Sequence, residues 1–336
     1  VDVVEPAVVL SAGENATAPS LRHRIEWWGL RLVLLASRAL SVEQVSAAGA
    51  FLLGRVGPRL RQNRRALANL AIAFPEMPEA ERHRIARAMW ANMGRTFAET
   101  LVLDRLLQSP DRIEIVDRAA WTQRAAEPGT IVGITLHMGS WELAIQPFNM
   151  LGRQPSGVYK PLDNPLIDAW LKRTRAPLFP SGLFGKGDRA DSDGTGQRTA
   201  RQLIDKARSG GMLGFVADHF DRRGDAVAFL GRTTKVTTAP AGIARHVGAR
   251  VWVGRCVRVE ASCRFRFEMT ELPVPRSQDR KADALALTAA VFAVFEAWIR
   301  EHPEQWMWWN TRWVEARAEA EAHAPEHLKP VPGRPA

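Results

Sequence analysis

The chain has 336 residues, 46% hydrophobic and 24% charged, which builds a substantial core and excludes a disordered or fibrous protein. Lys and Arg outnumber Asp and Glu by 46 to 36, and the net charge of +10 suits phospholipid headgroups, a phosphorylated glycolipid, nucleic acid or an acidic carrier protein; charge alone does not choose among them. No RNA- or DNA-binding signature is present. The two cysteines, Cys256 and Cys263, form no disulfide framework and no zinc-type Cys/His cluster; they read as small core residues flanking a hairpin, in a reducing compartment.

Residues 1–20 are expected to be a disordered tail, and not a cleavable signal peptide, because polar and acidic residues precede any apolar run. Residues 21–107 have helical periodicity. No stretch reaches the roughly 18 charge-free apolar residues that span a bilayer. The best candidate, "WWGLRLVLLASRAL" at 27–40, carries Arg31 and Arg38. It suits an interfacial helix, with a Trp pair at headgroup depth and arginines that snorkel, or equally an ordinary packing helix. Two helical patterns then meet at "FPEMP", where Pro78, Glu79 and Glu81 mark a new start. Ile85, Met89, Met93 and Phe97 recur every four residues as a core-facing stripe.

From about Ile113 short apolar runs alternate with helical ones. Strands are predicted at 131–136, 211–218, 249–260 and 263–269, and helices near 142–151, 164–174, 197–209, 239–247 and 282–301. The loop at 185–196 is flexible by composition, and a polar tail follows at 316–336. This alternation predicts an α/β fold, a mostly parallel central sheet flanked by helices over 108–315, behind an N-terminal helical, membrane-associating region. The last strand is antiparallel, with Phe265 and Phe267 on one face and Arg264 and Arg266 on the other.

"TIVGITLHMGSWELA" (130–144) places His137 and Glu142 at the end of an apolar strand. On one α-helix, positions i and i+5 diverge by about 140° and cannot touch. With His137 in the turn, Gly139 permitting the bend, Ser140 as N-cap and Glu142 in the first helical turn, the carboxylate can hold the imidazole as a general base. Such a base sits at the carboxyl end of a strand, where open α/β sheets place their sites. The same residues also fit a hydrogen-bonded loop histidine and a helix-start carboxylate. Ser140 as a nucleophile is disfavoured because "MGSWE" lacks the second Gly of a nucleophile elbow.

These residues resemble the H-x4-D/E motif of glycerolipid-type acyltransferases and, more narrowly, the bacterial lipid A biosynthesis acyltransferase family. The resemblance runs over about 21–315. "RQNRRALANLAIAFPEMPEAER", "GVYKPLDNPLIDAWLKRTR", "GFVADHF", "VAFLGRTTKVTTAPAGIARHVGARV" and "HPEQWMWWNTRW" follow the family's blocks in order. Asp218-His219 stands where the family has Asp-Gln, and Phe229-Leu230-Gly231 where it has Phe-Phe-Gly.

The resemblance implies acyl transfer from a thioester, usually on acyl carrier protein, to a hydroxyl of a phosphorylated lipid acceptor at the cytoplasmic face of the inner membrane. It needs no metal and no cofactor. His137 would be the base and Glu142 its orienter. Arg175, or Arg173, would stabilise the oxyanion, and Asp218 would orient Arg175 or contact the acceptor. Gly139, Gly231, Arg232, Lys235 and Arg312 are the further substrate-side candidates. Arg232, Lys235 and Arg312 are read as phosphate anchors, with a solvated basic loop as the plain alternative for the first two. Trp306, Trp308, Trp309 and Trp313 are read as core or interface. The same chemistry on a lysophospholipid, aminolipid or glycolipid, and a non-catalytic lipid-binding protein on the same scaffold, are the rival readings.

Overall fold

The helical opening and the alternating middle of the chain are both present in a computed structural model that describes residues 19–185, 195–310 and 312–313. The expected tail at 316–336, almost all of that at 1–20 and most of the 185–196 loop lie outside the described residues. Five helices come first: α1 (Leu21–Arg38), α2 (Val42–Val56), α3 (Arg61–Ala73), α4 (Glu79–Thr100) and α5 (Leu103–Leu107). Strand β1 (Ile113–Ile115) and α6 (Arg118–Ala126) lead to β2 (Ile131–Thr135) and α7 (Gln146–Met150). Then follow β3 (Pro155–Tyr159), α8 (Pro165–Arg175), β4 (Leu183–Gly185), α9 (Thr195–Arg208) and β5 (Met212–Val216). A hairpin of β6 (Phe220–Phe229) and β7 (Arg232–Val236), helix α10 (Ala239–Val247), strands β8 (Arg250–Arg258) and β9 (Phe265–Leu272), and helix α11 (Arg280–Glu301) complete the order.

Seven strands form one sheet in the order β1-β9-β8-β2-β5-β3-β4. β8, β2, β5, β3 and β4 run parallel; β9 is antiparallel to β8, as the sequence predicts, and β1 pairs with β9. Central β2 is apolar on both faces because both faces are covered. Val132 and Ile134 enter one core with α3, α4, α10 and α11, whereas Ile131 enters the other with α5, α6 and α7. Cys256 and Cys263 are buried free thiols, and burial pushes the Cys256 thiol up to about 12.

The sequence misses β1, β3, β4 and the β6–β7 hairpin, which are short or built from polar and small residues. It also places the helix after β2 too early. Residues 141–145 form turns, and α7 begins only at Gln146, so Ser140 caps no helix. In the α4 stripe Ile85, Met89 and Met93 are buried, but Phe97 is 46% exposed. Four residues advance a helix by slightly more than one turn, so a strict i+4 row drifts off the core face after three steps. Helix α11 is the one helix among the described residues long and apolar enough to cross a membrane, yet Leu287, Val291, Phe292, Phe295 and Ile299 are buried in the core.

Helices α2 and α4 cross closely at Gly49 and Gly94. A Cβ on either glycine would overlap the other's carbonyl oxygen, so the backbones touch with no side chain between them. Replacing Gly94 with Ala is expected to cost about 1–3 kcal/mol of unfolding free energy by overpacking. Denaturant melts check this, and an unchanged midpoint would contradict the close crossing.

Candidate active site

The connection leaving β2 runs to β3, on the far side of β5, while the connection leaving β5 runs to β8, on the far side of β2. The chain therefore opens a crevice at the carboxyl ends of these two neighbours, where open α/β sheets place their sites. β2 and β5 pair in register, Thr135 against Val216, and Ala217 N still donates to Thr135 O at 2.9 Å. Two residues further along each strand stand His137 and Asp218. Parallel register thus brings together two side chains 81 positions apart in sequence, with His137 Nδ1 at 2.6 Å from Asp218 Oδ1.

Asp218 is buried, and two further side chains satisfy it. Trp306 Nε1 donates to Oδ2 at 2.8 Å and Arg312 Nη2 to the same oxygen at 3.1 Å, while Arg312 Nη1 donates to the Asp218 carbonyl. Arg312 is itself buried and lies 4.3 Å over the Trp306 ring. Burial opposes charge on Asp218, but the His137 and Arg312 charges outweigh it and hold the carboxyl well below its usual 3.8. An ionised Asp218 accepts the Nδ1 hydrogen of His137, so that in the neutral imidazole the lone pair stands on Nε2, the arrangement a general base needs. His137 retains 15% side-chain exposure. Its ring lies 4.3 Å from that of His219 and 5.7 Å from that of Trp141.

The turn after His137 is held on every side. Gly139 has φ +58°, and a Cβ there would overlap the Cys256 carbonyl oxygen. Gly139 N donates to Gln305 O at 2.9 Å, Met307 N to His137 O at 3.0 Å and Ser140 N to Cys256 O at 2.9 Å. From α4, Asn92 Nδ2 (3.2 Å) and Thr96 Oγ1 (3.1 Å) donate to Gly139 O. Asn92 and Thr96 in turn receive Arg258, whose guanidinium forms a buried ion pair with Glu99 at 2.5 Å.

The geometry reassigns several sequence-predicted residues. Glu142 does not hold the imidazole: no ion pair joins it to His137 among the described residues, and Asp218 occupies Nδ1 instead. Because residues 141–145 form turns rather than a helix start, Glu142 faces α8, where Arg175 Nε donates to Oε2 at 2.7 Å and Nη2 to Oε1. Arg175 is thus neutralised by Glu142, and Asp218 does not orient it. Arg173 is exposed on α8. Gly231 (φ +77°) and Leu230 (φ +51°) make the two-residue turn of the β6–β7 hairpin, whose tip rests on α11 through Leu230 N donating to Glu296 Oε2 at 2.7 Å. Arg232 and Lys235 are exposed on β7. Arg312 is no exposed phosphate anchor, being spent on Asp218 and on the Met307 carbonyl.

Trp306 is buried, as expected of core, yet it also reaches the carboxylate; its role in the site is one the sequence did not show. Asn69 on α3 was missed altogether, though it donates to the Trp308 carbonyl at 2.6 Å and pins the tryptophan segment. Buried-helix asparagines in "RQNRRALANL" were the available signal. Two surface cavities, of about 630 and 650 Å³, lie around Arg118 near β1 and β9, and neither contains His137.

Over residues 15–315 the chain matches the family model described as bacterial lipid A biosynthesis acyltransferase. It is also similar to the lipid A biosynthesis lauroyltransferase of Escherichia coli strain K12, with 27% identity over 271 residues, spanning 77% of this chain and 82% of that protein.

The depressed Asp218 has a consequence for acid stability. Its stabilising charge is fully present above the unfolded-state value of 3.8 and is lost as pH falls through the lower folded-state value. Asp218→Asn is therefore expected to lose less unfolding free energy than wild type between neutral pH and about pH 3. Denaturant melts at the two pH values measure the difference, and equal losses would contradict the assignment.

Proposed function

Since the chain belongs to the bacterial lipid A biosynthesis acyltransferase family, we propose that it moves a fatty acyl chain from a thioester on acyl carrier protein to a hydroxyl of a lipid A precursor, with His137 as the general base. The observation that carries the mechanism is the 2.6 Å contact between His137 Nδ1 and a buried, ionised Asp218. Asp218 fixes the tautomer, and Nε2 takes the proton of the acceptor hydroxyl. The alkoxide attacks the thioester carbonyl, the tetrahedral intermediate expels the thiolate, and His137 returns the proton to sulfur. Arg312 keeps Asp218 ionised throughout. The Glu142–Arg175 pair braces the 141–145 turn against α8. The twelve-carbon acyl chain named for the E. coli relative is the first donor to try on this chain. The same dyad would serve another lipid hydroxyl equally, so the acceptor is the point that lipid analysis decides.

Mass spectrometry of total lipids and lipid A, from cells carrying the intact chain or His137→Ala, tests this reading. The variant is expected to lose one acyl-chain mass from lipid A, with turnover down by about two to four orders of magnitude. A normal rate would sink the base assignment, and an altered phospholipid or aminolipid with unchanged lipid A would move the acceptor. Ser140→Ala is expected to lose at most part of the activity.

The N-terminal region is proposed to lie on the cytoplasmic face of the inner membrane. On α1, Leu21, Ile25, Trp28, Leu32 and Leu35 repeat at helical spacing and are all more than half exposed. Arg31 packs 4.5 Å from the Trp28 ring, so its charge sits at the rim of this face. Asn164 fastens the helix: its Oδ1 caps α8, and its Nδ2 donates to His23 O and Glu26 Oε2, both at 2.9 Å. The double substitution Ile25→Asp/Leu32→Asp is expected to reduce co-sedimentation with anionic vesicles by about tenfold or more, since burying two charges replaces burying two side chains. Unchanged binding would leave this face without a membrane role.

A further inference from the structure

Immediately after the dyad the chain makes a detour. Phe220 and Asp225 both stand opposite Val236 in the β6–β7 register, so residues 221–224 leave the ladder as a four-residue excursion. It begins two residues after His219, whose ring lies 4.3 Å from that of His137. The excursion is built rather than loose. Asp221 Oδ1 accepts the Arg223 backbone N–H at 3.0 Å. Gly224 passes so close to the Val236 carbonyl that a Cβ would overlap it. Asp225 closes the far end, accepting from Thr238 Oγ1 at 3.1 Å and facing Lys281 Nζ at 4.0 Å.

What this loop presents is Arg222 and Arg223, consecutive and both exposed. No ion pair joins either to a carboxylate among the described residues, and the Asp221 and Asp225 carboxylates make, among others, the contacts given above. Two adjacent exposed guanidinium groups on a held backbone, three and four residues beyond the His219 that lies against His137, form a receptor for a phosphate group. Arg is the side chain whose planar fork matches phosphate oxygens. A loop that is already ordered sacrifices little freedom when the anion arrives. Lys235, one register step from the base of the excursion, adds a third cation to the same hairpin.

We propose that Arg222 and Arg223 bind a phosphate group of the substrate and thereby place the reacting carbonyl or hydroxyl at His137. This rests on the acyl-transfer reading above. Two substrates can bring phosphate to the crevice: a phosphorylated lipid acceptor, or the phosphate-bearing arm of a carrier-bound thioester.

The test uses the full chain in detergent micelles. Arg222→Ala/Arg223→Ala and the charge-keeping Arg222→Lys/Arg223→Lys are compared with wild type on the phosphorylated lipid A precursor and on the same lipid after phosphatase treatment. Each substrate is varied in turn against saturating partner. Wild type is expected to prefer the phosphorylated acceptor, and the alanine pair to lose that preference by about 10- to 100-fold, the worth of one or two charge-assisted bonds. The loss falls on KM more than on kcat, and the lysine pair recovers part of it. If the KM for the thioester rises instead, the phosphate belongs to the donor and the receptor stands. If both KM values stay within about twofold of wild type and the phosphatase effect is intact, the proposal is overturned. His137→Ala, run alongside, reports separately on the base: it lowers turnover on both acceptors alike, and a normal rate there would fault the base assignment while leaving the arginine contrast readable.

Discussion

The molecule is organised around one carboxylate that water does not reach. Asp218 keeps its charge although burial opposes it, and a single uncompensated charge of that kind would cost several kcal/mol. His137, Arg312 and Trp306 together supply the compensation. His137 follows β2, whereas Trp306 and Arg312 both follow α11, so the carboxylate acts as the point at which β2, β5 and the segment after α11 must agree in position. The proposed base inherits its orientation from that agreement.

A second buried ion pair does for the backbone what Asp218 does for the imidazole. Arg258, at the end of β8, meets Glu99 on α4, and through Asn92 and Thr96 the pair grips the Gly139 carbonyl. Breaking such a pair by removing one partner typically costs about 3–5 kcal/mol, because the other charge is left stranded. The N-terminal helices are therefore not an appendage to the sheet: α4 is part of the mould that shapes the turn after His137.

Much of the fold was legible in the sequence because it rests on periodicity. The buried strands β2, β5 and β8, the antiparallel β9, and helices α8, α10 and α11 all carry long apolar patterns. The misses share a physical cause: β1, β3, β4 and the β6–β7 hairpin are specified by their neighbours rather than by their own composition. In the site, His137 and Asp218 were both recognisable as polar residues ending apolar runs. Their pairing was not, because sequence distance made Glu142 look like the natural partner for His137. Which strand lies beside β2 is a property of topology, and topology placed β5 there. The burial of Arg312 and the reach of Trp306 were hidden for the same reason, as both depend on where the chain returns after α11.

That return has a consequence for how the protein comes into being. The residues that make Asp218 tolerable in the interior, Trp306 and Arg312, follow it by 88 and 94 positions. During synthesis from the N-terminus, the ribosome delivers the carboxylate and the imidazole well before their counter-charge. Until the tryptophan segment docks along residues 137–139, the crevice has an acid with too little to balance it and a turn lacking its backbone partners. Completion of the His137–Asp218 pair, and with it of the proposed base, thus waits on the docking of the tryptophan segment, and a nascent chain that has assembled only its sheet still lacks the partners that balance Asp218.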